Sequence, residues 1–265
     1  MNKNFKIKKT ISILSVLSNI IFLSSYAQGM EIKTDDISSK PKKRLLQNTT
    51  DLDLSGEDID DREAKRISEL INLTTLNLFE SEIEKNGLVI ILKASFPKLM
   101  TLNFSYIMIE DEEMPNLSQA KFSNLTELNL DGNCWGTAIA KNLSEANFPN
   151  LTNLNLGLQA IRKEGVEYLC QAKFSNLKIL TLNGNRIMNE GMKTISKANF
   201  PNLEILLLGG NGIEDKGVEY LCQANFPNLT TLNLHGNTIN NEERAKNLLK
   251  LHFTNLTQLD LESFM

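Results

Sequence analysis

A 26-residue beat runs through almost the whole chain and constrains its fold more than any single residue does. Leu73, Leu99, Leu125, Leu151, Leu177, Leu203 and Leu229 each open the frame L-x-x-L-x-L, with Phe104 in the third place once. The next start, Leu256, follows after 27 residues, and an incomplete earlier copy sits at Leu52 and Leu54. At this period each copy is one supersecondary unit that cannot bury its apolar side alone. Copies must stack into a solenoid, whose interior is a continuous ladder of like residues. Function is then to be sought on a repeated surface rather than in one central cleft.

Two shorter periods lie within each unit. Leu177 to Ile187 alternates apolar and polar, which is a strand with one buried face. Leu180 and Leu182 face inward, while Ile179, Thr181 and Asn183 face outward. The following segment has helical spacing: Val166, Leu169 and Ala172 fall three apart and share one face. Strands that recur with a crossover between them run parallel. This predicts one parallel sheet lining the inner side and helices covering the outer side.

Several residues that invite a functional reading belong to this frame. Phe96, Phe122, Phe148, Phe174, Phe200, Phe226 and Phe253 each precede a repeat-starting Leu by three places and form a buried spine. Trp135 stands where other copies carry Ile83, Ile109, Ile161, Ile187, Ile213 and Ile239, so it fills a core position. Asn133, Asn185, Asn211 and Asn237 recur at the turn after the strand. A buried amide donates twice and accepts twice, enough to satisfy the loop backbone of its own and the next repeat. Glu57, Ser81, Ile107 and Gln159 interrupt that ladder, which predicts looser turns there. The N-L-T and N-L-S triplets beginning at Asn72, Asn116, Asn124, Asn142, Asn150, Asn228 and Asn255 are read as by-products of the repeat. Pro115, after the acidic run Glu110 to Glu113, predicts a short or irregular outer segment in that copy.

The ends differ from the array. Lys3, Lys6, Lys8 and Lys9 precede an apolar run, Ile11 to Leu23, and Ser25-Tyr26-Ala27 has the small residues of a signal-peptidase site. Residues 1–27 read as a secretory signal peptide. An uncleaved anchor is the alternative, but the run is shorter than the ~20 apolar residues a spanning helix needs. Residues 28–48 carry few apolar residues and no period, and read as a flexible leader. Its cluster Lys40-Pro41-Lys42-Lys43-Arg44 is a solvated linker or, in a eukaryotic cytosol, a targeting signal. Removing residues 1–27 leaves 24 basic against 32 acidic side chains, a net charge of −8. That balance argues against nucleic acid or an anionic membrane as the main partner. Cys134, Cys170 and Cys222 are too few and too scattered for a disulfide framework. Cys170 and Cys222 share one repeat position, where a small, half-buried helix residue is expected.

No spacing motif for catalysis, a cofactor or a metal occurs. His235, at the exposed end of a strand, and His252, beside Phe253, have no acid or nucleophile partner by spacing.

Taken together, L-x-x-L-x-L-x-x-N-x-I followed by a helix with Gly near its start resembles the leucine-rich repeat. Asn185-Arg186-Ile187 with Gly191 and Ile195, and Asn211-Gly212-Ile213 with Gly217 and Leu221, are closest to its ribonuclease-inhibitor-like subclass. The resemblance covers residues 49–265. It implies an α/β horseshoe with parallel strands on the concave face, helices on the convex face, and protein binding by the concave face. The 26-residue period is shorter than that of the inhibitor itself, and early turns lack Asn.

Under that geometry the outward strand positions supply the binding surface. Most are small and polar, among them Glu127, Asn129, Asp131, Asn155, Asn183, Asn233 and His235, with Thr181 at their centre. Ile179, Ile205 and Leu207 break the pattern together in adjacent repeats, which points to a contact patch. Unselected β-branched residues in a strand are the competing explanation. The expectation is a secreted, non-enzymatic protein-recognition module without cofactor or metal, with a host-directed bacterial effector as one role. Substrate recognition or inhibition within an enzyme system such as a ubiquitin ligase, and a structural cell-envelope role, are the alternatives. The last strand edge, near Leu259 and Leu261, predicts weak self-association.

Overall fold

The structure is a computed structural model that describes residues 48–107, 109 and 116–262. The signal peptide, nearly all of the leader with its basic cluster, and Pro115 lie outside the described residues. Among the described residues, nine three-residue strands form one sheet, each pairing only with the strand of the adjacent repeat: β1 (Asp51–Asp53), β3 (Thr75–Asn77), β5 (Thr101–Asn103), β6 (Glu127–Asn129), β7 (Asn153–Asn155), β8 (Ile179–Thr181), β9 (Ile205–Leu207), β10 (Thr231–Asn233) and β11 (Gln258–Asp260). All pairings are parallel and in repeat register, as in Leu180 opposite Leu206 and Leu206 opposite Leu232. Two short strands, β2 (Asp58–Ile59) and β4 (Glu82–Ile83), pair separately in the first two repeats.

Seven α-helices are present among the described residues: α1 (Asp61–Ser68), α2 (Lys85–Lys93), α3 (Gly136–Glu145), α4 (Arg162–Leu169), α5 (Met188–Ile195), α6 (Asp215–Leu221) and α7 (Glu242–His252). Their buried residues keep the helical spacing, as in Val166 and Leu169 of α4 or Ala245 and Leu249 of α7. Among the described residues, the outer side of the stretch following Pro115 carries a 3-10 turn, Leu117–Gln119. Neighbouring helices pack at ~8–10 Å, whereas neighbouring strands lie ~4.8 Å apart. An array with helices on one side and strands on the other therefore bends with the sheet inside.

The core is the repeat frame. The inward leucines of β1 to β10 and the seven spine phenylalanines are buried, while Leu259 of the last strand is half-buried. Ring centroids of Phe200, Phe226 and Phe253 follow one another at 6.3 and 6.4 Å, and Phe96 lies 5.9 Å from Phe122. Trp135 is buried, and its indole Nε1 donates to the Ile109 carbonyl at 2.9 Å, so its one polar atom is satisfied.

The asparagine ladder runs in the opposite direction from that expected. Asn211 Oδ1 accepts the N–H groups of Asn185 (2.9 Å) and Ile187 (3.4 Å), while its Nδ2 donates to the carbonyls of Leu182 and Leu208. Each ladder asparagine thus serves its own and the preceding repeat, because the turn before it presents its N–H groups forward. The interruptions are not loose either. Gln159 is fully buried; its longer side chain accepts from Trp135 N–H (3.1 Å) and donates to the Leu130 carbonyl. Ser81 donates to the Leu78 carbonyl at 2.8 Å, and Ile107 N–H is held by Asn133 Oδ1 at 2.8 Å. The Glu57 carbonyl itself accepts Glu82 N–H at 2.9 Å, just before β2 meets β4.

A second amide ladder gives the repeat-borne asparagines of the N-L-T triplets a structural task. Nδ2 of Asn124, Asn150, Asn228 and Asn255 donates to the carbonyls of Pro97, Ser123, Pro201 and Pro227 at 2.6–2.8 Å. Asn176 and Asn202, which are not in such triplets, do the same. These amides tie each strand entrance to the repeat before it.

Candidate functional site

The outward residues of the sheet form three parallel rows, one for each outward position. In the first row Ile179 lies opposite Ile205; in the second, Thr181 lies opposite Leu207 and Leu207 opposite Asn233. Register therefore brings Ile179, Thr181, Ile205 and Leu207 together on two adjacent strands. All four are half-buried, so they are open to solvent from the face but supported at their sides by neighbouring strands. Glu127, Asn129, Asn155 and Asn233 lie along the same two rows, and Asp131, Asn183 and His235 in the third.

Most of the second row has a structural task. Oδ1 of Asn129, Asn155 and Asn233 accepts the N–H two residues ahead, on Asp131 (3.1 Å), Gly157 (3.0 Å) and His235 (2.9 Å). Asn77 and Asn103 do likewise, so this side chain closes the strand end in repeat after repeat. Leu207 cannot. The N–H it leaves, on Gly209, is taken by Asn183 Oδ1 of the preceding repeat at 2.7 Å. Leu207 thus stands apolar at a strand-closing position, with the lost bond made up by a neighbour.

The third row forms the rim of the face. Gly157 leaves space that Asp131 uses: a Cβ at Gly157 would collide with the Asp131 carboxylate. Burial holds the Asp131 carboxyl above its ordinary value of 3.8, against the lowering effect of the Tyr106 hydroxyl and Gly132 N–H. The Asp131 charge, with burial, raises Tyr106 in turn. Tyr106 meets Phe79 edge-on at 5.8 Å. Beyond the rim, Leu158 on a turn and Met188 at the first position of α5 are exposed, with φ of 53° and 58°, a conformation that L side chains seldom adopt. Leu158 covers Gly184 and Met188 covers Gly212 so closely that no Cβ fits beneath them. Sequence periodicity gave no sign of this apolar rim.

The spacing argument also missed a partner for His235. Its Nδ1 lies 3.7 Å from Asp260 Oδ1, and Glu262 completes the group. The last repeat is one residue longer, which hides the alignment in the sequence. His252 instead contacts the Ala224 carbonyl through Nε2 at 2.7 Å. Cys134 is exposed, whereas Cys170 and Cys222 are half-buried with free thiols.

The profile of the leucine-rich repeat matches residues 175–196 and 201–222, the two copies that carry the apolar patch. The fold is similar to that of internalin C2 from Listeria monocytogenes, with 20% identity over 92% of this chain and 91% of that one and a TM-score of 0.58. A protein from Bacteroides fragilis gives 18% identity, a TM-score of 0.56, and coverage of 91% and 72%. A chain of the mouse RP105/MD-1 complex gives 18% identity and a TM-score of 0.54, over 83% of this chain and 35% of that one. No curated protein sequence matches. The architecture is thus an α/β leucine-rich repeat solenoid.

Proposed function

We propose that this chain is a secreted, non-enzymatic module that binds another protein on the open, concave face of its sheet, centred on Ile179, Ile205 and Leu207. The apolar patch carries the reading, because Leu207 occupies a strand-closing position and its lost hydrogen bond is made up by Asn183. Half-buried aliphatics in a polar surround are the usual core of an interface. Leu158 and Met188 add exposed apolar side chains beyond the rim. That a solenoid of this architecture occurs in the RP105/MD-1 complex supports protein binding as its use. The outer helices favour the ribonuclease-inhibitor-like subclass. Export rests on residues 1–27, and a host-directed role follows from export combined with a recognition face.

The test is affinity capture with residues 28–265, using wild type, an Ile205→Glu/Leu207→Glu variant, and a Lys193→Glu variant on α5 as the outer-face control. The patch variant should lose the captured protein while the control retains it. Equal capture by all three would refute the assignment of the face. The edge of β11 is further proposed to pair weakly with a second copy; light scattering that shows monomer at every concentration would remove that point.

A further inference from the structure

We propose that His235, Asp260 and Glu262 form a divalent-metal site at the β10–β11 end of the sheet, selective for zinc-like transition ions over magnesium and calcium. The proposal does not depend on the binding face described above.

Register creates the group. Asn233 pairs with Asp260, so His235 and Glu262, each two residues further on, come side by side. One ligand atom from each residue lies within 4.8 Å of the other two. Zinc takes imidazole nitrogen and carboxylate oxygen at ~2.0–2.2 Å, so donors around one ion stand ~3.5 Å apart. Small rotations of exposed side chains close that gap. About 40% of each side chain is exposed for His235 and Asp260, leaving an ion a path to them.

The surroundings hold these ligands in place as the outer shell of a metal site does. Asn233 touches both neighbours: its Oδ1 accepts the His235 backbone N–H at 2.9 Å, and its Nδ2 donates to Asp260 Oδ2 at 3.0 Å. Glu262 N–H donates to Asp260 Oδ1 at 3.1 Å, which fixes the carboxylate plane. A bare His–Asp ion pair explains less. At 3.7 Å and this exposure it contributes little, and it leaves Glu262 without a role.

One imidazole and two carboxylates suit zinc, cobalt or nickel rather than the all-oxygen shells of magnesium and calcium. Three protein donors leave at least one coordination position for water or for a donor on a bound protein. The site lies at the margin of the sheet face, where such a donor could reach it.

The test uses the untagged full chain carrying Cys134→Ser, so that the exposed thiol takes no part, after stripping with a chelator. Zinc chloride in calorimetry should bind one ion per chain, and cobalt should give a visible ligand-field spectrum. His235→Gln and Asp260→Asn should each weaken binding at least about tenfold, with an unchanged circular dichroism spectrum. Asn233→Ser, which removes no ligand, should weaken it by about 10–100-fold, as loss of an outer-shell partner does. His252→Gln should leave binding unchanged, and tenfold excess magnesium or calcium should not compete. The absence of bound zinc, equal binding by His235→Gln and wild type, or displacement by magnesium or calcium would overturn the proposal.

Discussion

Replacing Asn211 by Ala should cost far more than its single amide suggests. Asn211 is about 1% exposed and satisfies backbone groups in two repeats. The substitution leaves Asn185 N–H without its 2.9 Å acceptor and Ile187 N–H without a longer, weaker one at 3.4 Å. The Leu182 carbonyl loses a donor at 2.9 Å, whereas the Leu208 carbonyl still receives Asn237 Nδ2 at 3.0 Å. A buried group left unsatisfied costs ~1–3 kcal/mol, so roughly two full losses give about 2–6 kcal/mol. For an array of this size each kcal/mol lowers the melting temperature by ~2–4 °C, so the fall should be on the order of 5–25 °C. The damage should also be local, since each repeat contacts only its neighbours. Hydrogen exchange should then show the amides of residues 183–187 opening ahead of global unfolding. Asn211→Gln should recover much of the loss, as Gln159 does naturally in its own repeat. A melting shift of only ~1 °C for the Ala variant, below the range expected for even one orphaned buried group, would refute the reasoning.

Other outcomes follow from the same geometry. Cys134 is exposed, while burial, with Glu167 adding to it, pushes the Cys170 thiol up to about 12, and burial also raises Cys222. Iodoacetamide at neutral pH should therefore alkylate Cys134 first, and peptide mass mapping showing Cys170 modified first would contradict the packing. The raised Asp131 pKa means that the folded state holds its proton more tightly than the unfolded state does. Its contribution to stability is then full below 3.8 and is lost as pH rises through the folded value. Asp131→Asn should accordingly raise the melting temperature at pH 7 but give little advantage at pH 3; an advantage confined to acid would reverse the sign. Exported protein should begin at Gln28 by N-terminal sequencing, and a chain retaining Met1 after export would remove the signal-peptide proposal.

The parts legible in the sequence are those fixed by a one-dimensional period. Leu180, Phe226 and Trp135 could each be assigned to the interior by counting, because every copy repeats the same burial. Register also followed from counting, and with it the meeting of Ile179, Ile205 and Leu207. What stayed hidden depends on side-chain reach or on a broken count. Gln159 looked like a gap in the ladder, yet one extra methylene lets it reach the same kind of backbone groups. Asn124 and Asn150 were legible only as by-products of the repeat, because the carbonyls they hold lie 27 residues back. The added residue in the last repeat separated His235 from Asp260 on paper while the sheet brings them together. The positive φ angles of Leu158 and Met188 carry no Gly or Asn–Gly signature, so the apolar rim could be seen only in three dimensions.

The most direct test of the recognition face is substituted-cysteine labelling in a background without native cysteines. Leu206→Cys, Leu207→Cys and Lys193→Cys would be probed before and after the captured protein is added. The account predicts that position 207 reacts in the free chain and is shielded in the complex, position 193 reacts in both, and position 206 reacts in neither. Shielding of position 193 with position 207 still reactive would place binding on the outer side and contradict it.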